Sequence, residues 1–161
     1  MNDLLSFKRN VMMLGLCTGY KNKWDVATSK EALMDIALDS NGVELLTDAH
    51  SFGFGMDIQY MERTFSDYIN GKWKRSKDGY TSCLYVDFNG QIEQDCTLTT
   101  VLASKVEFHV SKGNVCKLYV GAKSTVNITG EGICYVYSYG QNKVTGSFKS
   151  MNCITKSEWA K

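Results

Sequence analysis

From Lys105 to Phe148 apolar and polar residues alternate in short runs, each cut by a glycine or a polar turn. One phase of the alternation carries Val106, Phe108 and Val110, then Cys116, Leu118 and Val120, then Val126 and Ile128, then Cys134 and Val136, then Val144, Gly146 and Phe148. Cys96 and Leu98 extend the series one step upstream. Successive sets are displaced by about ten residues, which is one strand plus one tight turn and is too short for any helical repeat. Two architectures satisfy this beat. In an antiparallel meander each step is one strand; in a β-solenoid two steps make one coil of about twenty residues. Both bury the same phase. Irregular turns such as SKGN, GAKS and GEG at repeated positions favour the solenoid, whose stacked coils tolerate them.

The first half of the chain has a different period. Leu4, Phe7, Val11 and Leu14 fall at helical spacing over residues 3 to 16, and a polar loop around Trp24 follows. Thr28 and Glu31 have the spacing of a capping box, so a second helix is predicted from about Ser29. Gly42, in left-handed conformation, is predicted to stop it. A short third helix is expected over Val43 to His50, ended by SFGFGM, whose Gly53 and Gly55 relieve strain between helices. From Asp57 a fourth helix buries Ile58, Met61, Phe65, Tyr68 and Ile69 and stops at Asn70-Gly71. After Lys77 the period becomes two. Tyr80 to Phe88 alternates, and Asn89-Gly90 predicts a hairpin returning through Ile92. The expected fold is therefore α+β with segregated halves: about four short helices over residues 1–78, then a β-strand repeat over 79–161, built as one cooperative unit. A solenoid has open ends to cap. The helical half is assigned to one end, and the tail MNCITKSEWAK, with Ile154 and Trp159, to the other or to self-association.

Charge and cysteine usage exclude several classes of function. With 18 Lys+Arg against 17 Asp+Glu the net charge is +1, far from the basic excess of a dedicated nucleic-acid binder. Neither half is an electrostatic magnet: residues 1–79 hold 10 basic and 11 acidic side chains, and the rest hold 8 and 6. The closest of the six cysteines, Cys83 and Cys96, are 13 residues apart, so there is no CxxC and no zinc-knuckle spacing. Asp3, Lys8, Arg9 and Asn10 interrupt the apolar run at the N-terminus, which argues against a signal peptide. Free thiols in a reducing cytosol are therefore expected, with no membrane span, metal or cofactor, and the sequon Asn127-Ile128-Thr129 has no role there.

The outward phase of the repeat is where a site would stand. It presents Glu107 and His109, Lys117 and Tyr119, Asn127 and Thr129, and then Tyr135, Tyr137 and Tyr139. If alternate strands stack, Lys117, Tyr119, Tyr135, Tyr137 and Tyr139 form one face suited to a protein partner, with Tyr85 nearby, because tyrosine supplies contact area with few rotors. The bland alternative is that aromatics simply favour strands. A second candidate is NGKWKRSKDG, where Lys72, Lys74, Arg75 and Lys77 surround Trp73 and could clamp a phosphate and stack a base. Solvated loops carry such runs too. The helix-turn-helix from Thr28 to His50 exposes Asp35, Asp39, Glu44 and Asp48, which phosphates would repel. Glycines in SFGFGM neither follow a strand nor open GxxxxGK. Only two histidines, His50 and His109, are present, no paired carboxylates stand out, and Cys116 and Cys134 lie on the buried phase. No catalytic constellation is visible, so an enzyme is not expected.

The segments YKNKWD, TSKEALMDIALDSNGVELL, YINGKWKR and GYTSCLYVDFNGQIE resemble a group of small proteins encoded by gut bacteriophages and prophages. The likeness covers roughly residues 19 to 93, with a looser match in the repeat. Its motifs are helix stops and packing positions, and the group carries no assigned activity. What the resemblance implies is context: a small protein of the bacterial host cytosol that works by binding a host, defence-system or virion protein, alone or as a homo-oligomer. The alternative expectation is a nucleotide or nucleic-acid binding module using the Lys72 to Lys77 cluster and the tyrosines.

Overall fold

The computed structural model describes residue 27, residues 29–53 and residues 57–158. The helix expected over 3–16, the Trp24 loop, Thr28, Gly55, Cys17 and Trp159 lie outside the described residues. Three α-helices precede ten strands among the described residues: α1 (Lys30–Ala37), α2 (Gly42–Phe52), α3 (Ile58–Thr64), β1 (Arg75–Lys77), β2 (Tyr80–Val86), β3 (Asn89–Glu93), β4 (Leu98–Leu102), β5 (Lys105–His109), β6 (Val115–Val120), β7 (Thr125–Thr129), β8 (Ile133–Tyr139), β9 (Lys143–Gly146) and β10 (Ser150–Ile154).

Local chemistry sets the helix ends. Ser29 caps α1, its hydroxyl accepting from the Ala32 N–H at 3.1 Å, and Asp57 caps α3 by accepting from Gln59. Gly42 does not stop α1 in left-handed form; it is the first residue of α2. The requirement for glycine there is steric, since a Cβ would stand 2.0 Å from the Ile36 carbonyl oxygen. Asp39 holds the junction, one carboxylate oxygen accepting from Gly42 N–H at 2.6 Å and Asn41 N–H at 3.0 Å. Left-handed Gly53 (φ 81°) closes α2. α3 ends at Phe65 and a 3-10 turn over Ser66–Tyr68 covers the remaining distance to Asn70.

The strands form a β-solenoid of four coils. Sheet A runs β1-β2-β4-β6-β8-β10 and sheet B runs β3-β5-β7-β9. Every pairing is parallel except β1 on β2. Asn89-Gly90 makes no hairpin. These residues open β3, which crosses to sheet B and pairs with β5, because the chain has already turned at Asp87 (φ 50°). The same corner recurs at Ala103 and Lys123, both left-handed. Buried serines satisfy its backbone: the Phe88 N–H donates to Ser104 Oγ at 3.0 Å, and the Ser104 N–H donates to Ser124 Oγ at 3.1 Å.

Two cores result. The inward phase fills the coils with Val106, Phe108, Val110, Cys116, Leu118, Val120, Val126, Ile128, Cys134 and Val136, all buried. Outside the coils, Leu84, Val86, Leu98, Leu102, Tyr119 and Tyr139 of sheet A pack with Leu33, Met34, Leu45, Ala49 and Phe65 of the helices. Among the described helices, α2 lies along the outer face of sheet A, against β4, β6 and β8, and not over an end of the coils. The end of sheet A is closed by β1 and by Asn70, both within residues 1–78. The backbone N–H of Asn70 donates to the Leu84 carbonyl at 2.9 Å, its Oδ1 accepts from the Val86 N–H at 2.8 Å, and its Nδ2 donates to the Val86 carbonyl at 3.2 Å. One side chain thereby pairs an edge that would otherwise be open. The tail returns to the helices as well: the buried Asp48 carboxylate accepts from Ser157 Oγ at 2.5 Å and from the Glu158 N–H at 2.8 Å. No described helix is long and apolar enough to cross a membrane.

Two substitutions test this account. Asn70→Ala removes both side-chain hydrogen bonds and strains a left-handed position (φ 58°), and is expected to cost about 2 kcal/mol in chemical denaturation, with Asn70→Gly recovering the backbone part. Gly42→Ala meets backbone that cannot yield, so a loss of about 3 kcal/mol or more is expected by the same measurement.

Candidate functional site

Parallel pairing fixes which outward residues meet. Val115 lies beside Ile133, Lys117 beside Tyr135 and Tyr119 beside Tyr137, so the expected neighbours of the repeat do come together. They do not share one environment. Tyr119 and Tyr139 are each only 3% exposed, because α2 covers them, and the expectation that they stand free for a partner is corrected. The Tyr119 ring stacks on Tyr137 with centroids 4.8 Å apart, and its hydroxyl donates to Glu44 Oε1 of α2 at 3.4 Å. Tyr137 is half-buried against the same core, with Lys117 Nζ 6.0 Å from its ring. Tyr85 belongs to the other face: its ring meets Phe88 at 5.0 Å and packs on the solenoid interior.

Beyond the reach of α2, the amino-terminal ends of the sheet A strands stay open. Val115 is 53% exposed and Ile133 42%, side by side in register. Val115 lines a groove of about 350 Å³ together with Ser40, Tyr80, Leu98, Lys117 and Tyr135 among others. The Ser40 N–H donates to the Tyr80 hydroxyl at 2.8 Å and fixes that wall. Of the five candidate partner residues, Lys117 and Tyr135 line this ledge, Tyr137 is at its boundary, and Tyr119 and Tyr139 are under the helices.

The basic cluster borders a cleft of about 730 Å³ between α1 and β1. Its charges are largely compensated. Arg75 is buried, with Nε 2.8 Å from the Asp35 carbonyl oxygen and Nη2 2.7 Å from Asp78; Lys77 pairs with Asp35 at 2.8 Å and Lys74 with Asp95 at 3.6 Å. The Trp73 ring meets Tyr68 edge-on at 5.4 Å and packs on the helical core. Lys72 alone of these cations has no ion pair among the described residues. Arg75 and Lys77 thereby tie β1 to Asp35 of α1.

On sheet B the outward residues form a polar ladder. Asn127 donates to Glu107 at 2.9 Å and accepts from Thr145 at 3.0 Å, while His109 meets Thr129 at 3.0 Å. His50 is elsewhere, its Nε2 3.1 Å from the Ala122 carbonyl oxygen. One grouping escapes sequence reading: a sulfur each of Cys83 and Cys96 and a carboxylate oxygen of Asp95 lie within 4.8 Å of one another. The two thiols are 13 residues apart, close to the 16-residue offset of the first coil, so stacking makes neighbours of residues that no local motif joins.

Three comparisons, with protein-family models, with curated proteins and with solved structures, return no match for this chain.

Glu44 sits where α2 meets the ledge, and its acidity follows from that place. Burial raises its pKa above the ordinary carboxylate value, the Tyr119 hydrogen bond opposes this, Glu158 adds to the rise and Lys117 opposes it. Because the folded value is the higher, the contribution to stability is complete below the unfolded pKa near ~4.3 and is lost as pH rises through the folded one. Glu44→Gln, which still accepts from Tyr119, is expected to raise the melting temperature at pH 7, with the gain vanishing in acid. Thermal melts across pH 3.5 to 8 check this; an equal gain at every pH would contradict it.

Proposed function

We propose that this chain is a non-enzymatic interaction protein that docks a partner protein on the open ledge of sheet A. The observation that carries the reading is the pair Val115 and Ile133, exposed and adjacent on a rigid sheet beside a groove. Single exposed apolar residues are ordinary, but two large ones in register above an apolar groove make a contiguous patch. Because each is already about half covered, burying the remainder against a partner returns roughly 1 kcal/mol each. Lys117 and Tyr135 supply a polar rim, and tyrosine adds contact area at small entropic cost. The resemblance to phage-encoded proteins supports a host, defence-system or virion protein as the partner. The nucleotide alternative draws less support, because Asp35, Asp78 and Asp95 already answer the cations it would use.

The test uses the double variant Val115→Lys/Ile133→Glu. Since both side chains are exposed, melting should stay near wild type while a protein captured by the wild-type chain from host lysate, identified by mass spectrometry, is lost. Equal capture by a folded double variant would remove the ledge as the site.

A further inference from the structure

We propose that Cys83, Asp95 and Cys96 form a binding site for a thiophilic divalent cation of the zinc class, at the corner where the chain passes from sheet B back to sheet A. The geometry comes from the fold. Cys83 points from β2 into the first coil and is 5% exposed; Cys96, at the corner before β4, is 0% exposed. Their sulfurs and one Asp95 oxygen lie within 4.8 Å of one another. A tetrahedral zinc with sulfur at about 2.3 Å needs its ligands about 3.8 Å apart, so side-chain rotations of about 1 Å close the site. Asp95 is exposed, and its side chain gives a cation an approach from solvent while the sulfurs stay inside. Three protein ligands leave a fourth position for water.

The surroundings hold the ligands in place. Gln94 Nε2 donates to the Cys96 carbonyl at 2.7 Å, and Asn114 Nδ2 in turn donates to Gln94 Oε1 at 3.0 Å. Thr81 and Thr97 exchange backbone-to-hydroxyl bonds at 3.0 Å on either side of the corner. Cys83 Sγ stands 3.7 Å from Thr99 Oγ1, and Lys74 lies 3.6 Å from Asp95, where it offsets part of the negative charge of two thiolates and a carboxylate. Cysteine ligates a cation as thiolate, so binding releases protons and weakens as pH falls.

The interior offers its own control. Cys116 and Cys134 also face each other in register, 2% and 0% exposed, but no carboxylate or histidine completes a third ligand there among the described residues. Two thiols alone in an apolar interior should not take up the ion.

Cadmium serves as the probe, because its thiolate complexes absorb in the ultraviolet. The full chain carrying Cys17→Ser and Cys153→Ser is reduced and titrated with Cd²⁺, and Zn²⁺ is then used to compete the signal away. One equivalent should saturate a thiolate band that disappears in Cys83→Ser and in Cys96→Ser and persists in Cys116→Ser/Cys134→Ser. Asp95→Asn changes an exposed side chain without touching the core, and should weaken binding about tenfold or more. No band at stoichiometric cadmium, a band that survives Cys83→Ser, or full affinity in Asp95→Asn would each overturn the assignment. Melting of every variant is followed alongside, so that if a cysteine variant unfolds the Asp95→Asn result decides.

Discussion

Each coil of the solenoid rests on the preceding one through parallel backbone hydrogen bonds, in register from β2 to β10 in sheet A and from β3 to β9 in sheet B. That stacking decides the fate of every side chain by phase. Inward positions are enclosed by neighbours above and below, and a fully enclosed Val, Leu or Phe contributes roughly 1.5 to 3 kcal/mol. Outward positions form rows of like residues at one strand spacing, which must be solvated, paired or covered. Sheet B solves this with hydrogen-bonded polar rows such as Glu107, Asn127 and Thr145. Sheet A carries apolar and aromatic rows instead, and the helices cover them.

The covering is partial, and that makes the ledge. α2 reaches across β4, β6 and β8 over Tyr119 and Tyr139, and its Asp48 also holds the tail at Ser157 and Glu158. At the opposite ends of the same strands the rows continue uncovered through Val115 and Ile133. A parallel sheet buried on both faces is the usual arrangement. Here one stretch of the outer face departs from it, which is the physical basis for assigning a partner to that stretch. The same stacking, at the first corner, brings Cys83 to Cys96.

Much of the fold is legible in the residues because side-chain phase is a local property. Val106, Phe108, Cys116, Leu118, Val126, Ile128, Cys134 and Val136 read as inward and are inward. The turns are less legible. Asn89-Gly90 has hairpin chemistry, but the left-handed residue is Asp87, and the serines that satisfy the corner come from the next coils. Gly42 reads as a helix stop because sequence shows conformational freedom and hides the close approach of the Ile36 carbonyl. The site was partly legible. The pairing of Lys117 with Tyr135 follows from the repeat, whereas the burial of Tyr119 depends on a helix some seventy-five residues earlier in the chain. The cations of the Lys72 to Lys77 run meet Asp35, Asp78 and Asp95, two of them beyond any local window.

The helical layer covers one half of the outer face of sheet A and leaves the other half open. Hydroxyl-radical footprinting of the intact chain, read residue by residue, measures this directly. Val115, Ile133 and Tyr135 should be modified rapidly, with Tyr119 and Tyr139 protected until the protein unfolds. Modification of Tyr119 and Tyr139 at the rate of Tyr135 in the folded protein would contradict the account.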